Sequence, residues 1–152
     1  MKVSLNRIAL FFLVFVLSSC SDKPDILPAD IAFGEYSFSK TDCEWRGLIY
    51  PHDSELVIIN SDEELERYCT YDEIGSLPVV DFSTHTLLLA RGVELYNNRA
   101  SIKSLQQLSI GTYVMTVELD MNLAAVITNW QVAISTKKLA VGDKVLLRVV
   151  GE

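Results

Sequence analysis

Apolar residues in this chain gather into short runs, and the period within each run decides what it can become. Leu56-Val57-Ile58-Ile59 and Thr86-Leu87-Leu88-Leu89-Ala90 are apolar at consecutive positions and bounded by polar residues, the pattern of strands buried on both faces. Tyr113, Met115, Val117 and Leu119 instead alternate with Val114, Thr116, Glu118 and Asp120, as Trp130, Val132 and Ile134 do with Gln131, Ala133 and Ser135. Period two turns one face inward and leaves the other mostly wet. Val145 to Val150 forms a last strand after a Gly142-Asp143 turn, and Asn97-Asn98 suits a hairpin tip because asparagine tolerates positive φ. Ile31 to Phe38 reads as a short edge strand or an irregular lead-in, and Arg91-Gly92 reads as the end of the central strand.

One segment has helical spacing. Ser61 can cap a helix, Glu64 can return a bond to the cap's own N–H, and Leu65, Tyr68 and Cys69 fall on one face at i, i+3, i+4. The expected helix runs from Asp62 to Cys69, with Glu63 and Arg67 paired toward solvent. The whole predicts an α+β fold: one mainly antiparallel sheet with one short helix packed across a face.

The N-terminus follows other rules. Lys2 and Arg7 precede ten apolar residues, Ile8 to Leu17, which make about 15 Å of helix, half of what a bilayer core needs. That is a leader rather than a permanent span. It ends in Leu17-Ser18-Ser19-Cys20, which resembles the lipobox of bacterial lipoproteins, where small residues admit the peptidase and the thiol takes lipid. The resemblance implies a signal peptide over 1–19, a lipid-bearing (palmitate) Cys20 with a tether to residue 30, and a single domain over 31–152. The alternative is an ordinary cleaved leader with Cys20 as a free or paired thiol. Ser21 to Asp30 carries Pro24 and Pro28 and no periodicity, and as polyproline II its ten residues would reach about 30 Å. Ser21-Asp22 resembles the acidic surface-export signals of some Gram-negative lipoproteins, but Lys23 interrupts it, so the chain is expected on the outer membrane or elsewhere in the envelope with its leaflet undetermined.

Removing 19 residues from 152 leaves 133, enough for one domain with a real core. Losing Lys2 and Arg7 with the leader takes the net charge from -7 to -9. A domain so acidic lacks the footprint of a nucleic-acid binder and is not drawn to anionic lipid by charge. With Cys20 acylated, Cys43 and Cys69 remain, a pair that can form one disulfide in an oxidising compartment or persist as buried thiols. The bridge would close a loop of about 27 residues, worth roughly 3 to 4 kcal/mol on the chain-entropy model.

The order of parts also carries a likeness. An apolar strand, Asn60-Ser61-Asp62-Glu63-Glu64-Leu65 opening a short helix, and Val80-Asp81-Phe82-Ser83 feeding an apolar strand that reaches Gly92 resemble the small domain named for the C-terminal part of PrcB, a lipoprotein partner of a surface protease. The same segment, Glu55 to Gly92, is similar to lipoproteins of gut Gram-negative bacteria. After Gly92 those domains turn through glycines, whereas Val93-Glu94-Leu95-Tyr96-Asn97-Asn98 stands here. The resemblance implies an α+β domain that works by binding another protein.

Candidate chemistry is sparse. His52 and His85 are the only histidines, and neither CxxC nor HExxH occurs, so no metal and no cofactor is expected. Pro51-His52-Asp53 reads as an exposed turn, His85 as the start of a strand beside Ser83 and Thr84, and there is no GxSxG elbow. The acidic run Asp62-Glu63-Glu64-Glu66 suits the first turn of a capped helix. Trp45, Tyr50, Tyr96, Tyr113 and Trp130 can pack inward or line a binding face, and Tyr96, with Asn97, Asn98 and Arg99, is the expected partner contact. The leading expectation is a lipid-anchored, non-enzymatic module that binds a protein partner at the envelope. The alternatives are a glycan-binding accessory lipoprotein and a hydrolase in which His85, a serine and a carboxylate share a cleft.

Overall fold

The computed structural model describes residues 27–37, 51–68, 78–95, 97–121 and 126–151. In chain order these form β1 (Ala29–Asp30), β2 (Phe33–Glu35), β3 (Ser54–Ile59), α1 (Asp62–Leu65), β4 (His85–Leu95), β5 (Asn97–Ser109), β6 (Thr112–Met121), β7 (Ile127–Lys137) and β8 (Lys144–Gly151). Residues 1–19, where a signal peptide is expected, and Cys20, Cys43, Cys69, Trp45, Tyr50 and Tyr96 lie outside the described residues.

The fold is mainly antiparallel sheet, as expected, but the strands divide into two sheets rather than one, in the orders β1-β5-β6-β8 and β2-β7-β4-β3. The division follows from strand length. β4 and β7 pair from His85↔Lys137 to Leu95↔Ile127, and β5 and β6 resume the same antiparallel pairing from Asn97↔Met121 to Ser109↔Thr112. Together they are one long ribbon whose two halves lie in different sheets. Asn97-Asn98 is therefore not a hairpin tip but the start of β5, where the chain changes sheet; the tip is Ile110-Gly111, with Gly111 at φ 70°. Because β7 lies in the opposite sheet, the chain returns over residues 138–143 and β8 joins β6 parallel, not as the next antiparallel strand of a meander.

The halves face each other across one apolar layer. Leu88, Ala90, Trp130 and Ile134 of the β4–β7 sheet meet Leu105, Met115, Val117 and Leu119 of the β5–β6 sheet, all buried. Each large side chain so removed from water contributes about 1.5 to 3 kcal/mol against leaving it exposed. The alternation read from Tyr113 to Asp120 holds, with Met115, Val117 and Leu119 inward, although Val114 and Thr116 are also buried on the other face, between β5 and β8.

The β4–β7 sheet is buried on both faces, which accounts for consecutive apolar residues in β3 and β4. Its outer face packs Ile59, Leu87, Leu89 and Ala133 against Leu65 of α1, with Tyr68, Val80 and Phe82. α1 thus lies across a face as expected, but it is shorter than Asp62 to Cys69: turn structure follows Leu65. The Ser61 hydroxyl accepts from Glu64 N at 3.2 Å, while Glu64 Oε2 reaches one residue beyond the cap and accepts from Asn60 N at 2.6 Å. With one helical turn, its place depends on burying Leu65 rather than on helix propensity.

β4 does not end at Arg91-Gly92 but runs to Leu95. Gly92 pairs with Trp130, and a Cβ at position 92 would meet the indole at 2.6 and 2.7 Å and the Asp53 carbonyl at 2.8 Å. The glycine is there for close packing, not for a turn. At the opposite end of the molecule, Asp143 lies beside the Tyr113 phenol, and burial first, then the Asp143 charge and a hydrogen bond to it, raise the Tyr113 pKa.

Two outcomes follow from this packing. Gly92→Ala overpacks the layer and lowers the unfolding free energy by about 1 to 3 kcal/mol in urea titration, whereas Gly34→Ala, with open space around it, changes it by less than about 0.5 kcal/mol. The phenolate absorbance assigned by difference to Tyr113 rises at higher pH than for ordinary tyrosine, and Asp143→Asn moves the midpoint down. Since the fold favours the protonated phenol, this contribution to stability is complete below the ordinary tyrosine pKa and is lost as pH rises through the folded-state value.

Candidate functional site

β1 and β2 are short, and among the described residues they cover only part of the β5 and β7 edges. β1 covers only Gln106 and Gln107 of β5, and the last bond on that side is Ile31 N donating to Leu105 O at 2.8 Å. β2 covers β7 from Thr136 to Ile134, and Tyr36 N donates to Ala133 O at 2.9 Å. Beyond these points, among the described residues, no strand pairs with the outer edge of β5 from Arg99 to Ile102 or with that of β7 from Ile127 to Gln131.

The two uncovered edges border an open cleft of about 520 Å³, lined by Glu35, Tyr36 and Ser37, by Arg99 to Ile102 of β5, and by Gln131 to Ala133 of β7. That volume is within the usual range of ligand sites. Glu35 and Arg99 bring opposite charges to it, and Ser37, Ser101 and Gln131 bring hydroxyl and amide groups. Gln131 Oε1 is buried and has no hydrogen-bond partner among the described residues. A buried acceptor left unpaired costs about 1 to 3 kcal/mol, so the site holds an unmet demand for a donor.

Of the expected partner contacts, Arg99 lines this cleft and a second one with Ser101, Glu118, Leu119 and Asp120. Asn97 and Asn98 lie on the backbone of β5 just before it; Tyr96 and the side chains of Asn97 and Asn98 lie outside the described residues. Gln131 and Glu35 were not singled out by the sequence, because a polar residue on an alternating strand looks the same whether it faces solvent or a cleft. The aromatic-face expectation loses two of its members: Trp130 is in the core and Tyr113 is half-buried against it.

His85 opens β4, as expected, and it has a hydroxyl and a carboxylate nearby. The Thr84 hydroxyl donates to Asp81 Oδ2 at 2.7 Å and lies 2.8 Å from His85 Nδ1, while Ser83 donates to Asp81 Oδ1 through its hydroxyl at 2.6 Å and its amide at 3.0 Å. Nucleophilic catalysis needs the imidazole between hydroxyl and carboxylate; here a hydroxyl stands in the middle, on an exposed turn. The Ser83 hydroxyl bond first, then those from Thr84 and the Ser83 amide, hold the Asp81 carboxyl below its ordinary pKa, as suits an ionised turn cap.

The outer face carries a further charged group that the sequence hid behind an apolar run. Arg91 is buried, pairs with Glu55 on the adjacent strand and lies 5.3 Å from the Tyr68 ring centroid. His52, in the expected exposed turn with φ 73°, has Nδ1 2.7 Å from Glu94. These contacts tie β3, β4 and the turn after α1 together. Among the described residues no group of three or more His, Cys, Asp or Glu could hold a metal ion.

Gln131→Leu removes the unpaired oxygen at similar volume and raises the unfolding free energy by about 1 kcal/mol in urea titration. Comparison with protein-family models, with characterised proteins and with solved structures finds no match, so the cleft is read from its own residues.

Proposed function

We propose that this chain is a lipid-anchored, non-enzymatic envelope module that holds an extended segment of a protein partner in the cleft between β5 and β7. The observation that carries the proposal is the pair of sheet edges, β5 from Arg99 to Ile102 and β7 from Ile127 to Gln131, with which no strand pairs among the described residues. Every second residue of such an edge turns its backbone N–H and C=O outward, where a partner strand can pair with them, the mechanism of strand addition. Glu35 and Arg99 supply opposite charges to set direction, and Gln131 Oε1 accepts a donor from the incoming chain.

The leader and the Leu17-Ser18-Ser19-Cys20 resemblance support the anchor and the envelope location, and the likeness of Glu55 to Gly92 to the PrcB-type domain supports a protein as partner. That segment forms β3, α1 and β4, the layer behind the cleft rather than its wall. Partner choice on this reading comes from residues after Gly92, where the likeness stops.

A photo-crosslinking residue at Ser101 is expected to give one specific protein adduct in intact envelopes, and the same residue at Leu146, exposed on β8 at the other edge, none. Arg99→Glu reduces the Ser101 adduct about tenfold, the effect of roughly 1.4 kcal/mol in binding. Equal labelling at both positions, or none at either, rejects the cleft as the contact.

A further inference from the structure

We infer that the end of the sandwich formed by the β5–β6 and β7–β8 turns is a lipid-contact surface, seated on the bilayer that carries the anchor. The inference rests on the lipoprotein reading above and adds to it an orientation. Ile110, at the tip of the first turn, is 93% exposed, and Val141, in the second, is 108% exposed. The two turns are side by side: Lys144 N donates to Gly111 O at 2.8 Å, and Asp143 Oδ1 lies 3.1 Å from where a Gly111 Cβ would be. Two β-branched residues at the tips of tied turns, with the exposed Lys144 next to them, present a small apolar point rimmed by charge.

The chain outside the described residues decides what meets this point. β1 runs antiparallel to β5 with Ala29 opposite Gln107 and Asp30 opposite Gln106, so the chain enters β1 from the Ser109 side of β5, the side of the Ile110 tip. Only residues 21–26 separate Leu27 from Cys20. Seven steps of fully extended chain span at most about 25 Å, so a lipid on Cys20 holds this end, and not the other, close to the head groups. β1 also draws Ala29 and Asp30, which the sequence assigned to the tether, into the sheet and shortens the leash.

Size and charge favour lipid over a second protein. Two tip side chains cannot supply the 1,200 Å² or more of a specific protein interface. Weak insertion suffices for a molecule already tethered, because the anchor makes the contact effectively intramolecular. The net charge of -9 left once Lys2 and Arg7 are lost with the leader gives anionic lipid no general hold on the protein, which leaves the apolar tips as the attractive element.

Full-length protein carrying Ile110→Trp, Val141→Trp or Ile127→Trp, the last at the far end of β7, tests this in phosphatidylcholine vesicles whose acyl chains bear bromine near the head group. Bromine should quench the added fluorescence at 110 and 141 about threefold more than at 127. Equal quenching at all three, with intact mass showing lipid on Cys20, overturns the docked orientation and leaves the lipoprotein reading standing. An intact mass with an unmodified Cys20 overturns both. A shift of the added emission at 110 or 141 that is independent of bromine means that a second copy or another protein covers the tips, and also overturns the inference.

Discussion

A ribbon of two long strands exposes an apolar face along its whole length, and the structure depends on how that face is removed from water. From His85 to Leu95 against Ile127 to Lys137, and again from Asn97 to Ser109 against Thr112 to Met121, the ribbon's pairing is antiparallel in the same sense, regular in the first half and with three register shifts in the second. Left flat, its inward residues would have no partner. Folded at the level of Leu95 and Ile127, it lays Leu88 and Ile134 over Leu105 and Met115 and supplies both halves of its own core. β2 and β3 then flank one half and β1 and β8 the other. Gly92 and Trp130 stand near the fold, where the indole occupies the space that any larger residue at 92 would need.

Much of this was legible, and the limits are physical. Consecutive apolar residues in Leu56–Ile59 and Thr86–Ala90 announced strands covered on both sides, and Tyr113 to Asp120 announced one inward face, because side-chain alternation is a local property. The capping of α1 by Ser61 was readable for the same reason. Sheet membership was not. A strand that passes from one sheet to another keeps its period, so Leu95 to Asn97 looked like the approach to a turn and the expected strands looked like one sheet. The parallel pairing of β8 with β6 is invisible locally, since it follows from β7 lying elsewhere.

The cleft was still less legible because it is made by what two strands do not cover. β1 and β2 are short, and nothing in Ala29-Asp30 or Phe33-Gly34-Glu35 states which part of β5 and β7 they will protect. Arg99 entered the expected contact set for the wrong reason, as a neighbour of a presumed hairpin tip, and lines the cleft because β5 begins there. Gln131 is the clearer case of conflict between levels. Its place on a regular strand satisfies the backbone, while its amide oxygen is buried without a partner among the described residues. Such conflicts concentrate where a site has been kept for something other than stability.

The two proposed surfaces also constrain each other. Arg99 and Ser109 are ten residues apart on β5, about 33 Å at the rise of a strand, and Gln131 to Ala133 lie toward the same half as Arg99 through the pairing of the ribbon. If the proposed anchor arrives at Leu27 and the apolar tips at Ile110 and Val141 meet the bilayer, the membrane lies against one end, and the edges of β5 and β7 that no described strand covers begin in the middle of the molecule and continue away from it. On the proposed reading the same segment, residues 27–37, does both jobs: by pairing with one half of β5 and β7 it would tie the anchor to the sheets, while no described strand pairs with the edges in the other half. A longer β1 would hold the anchor no better and would close the cleft.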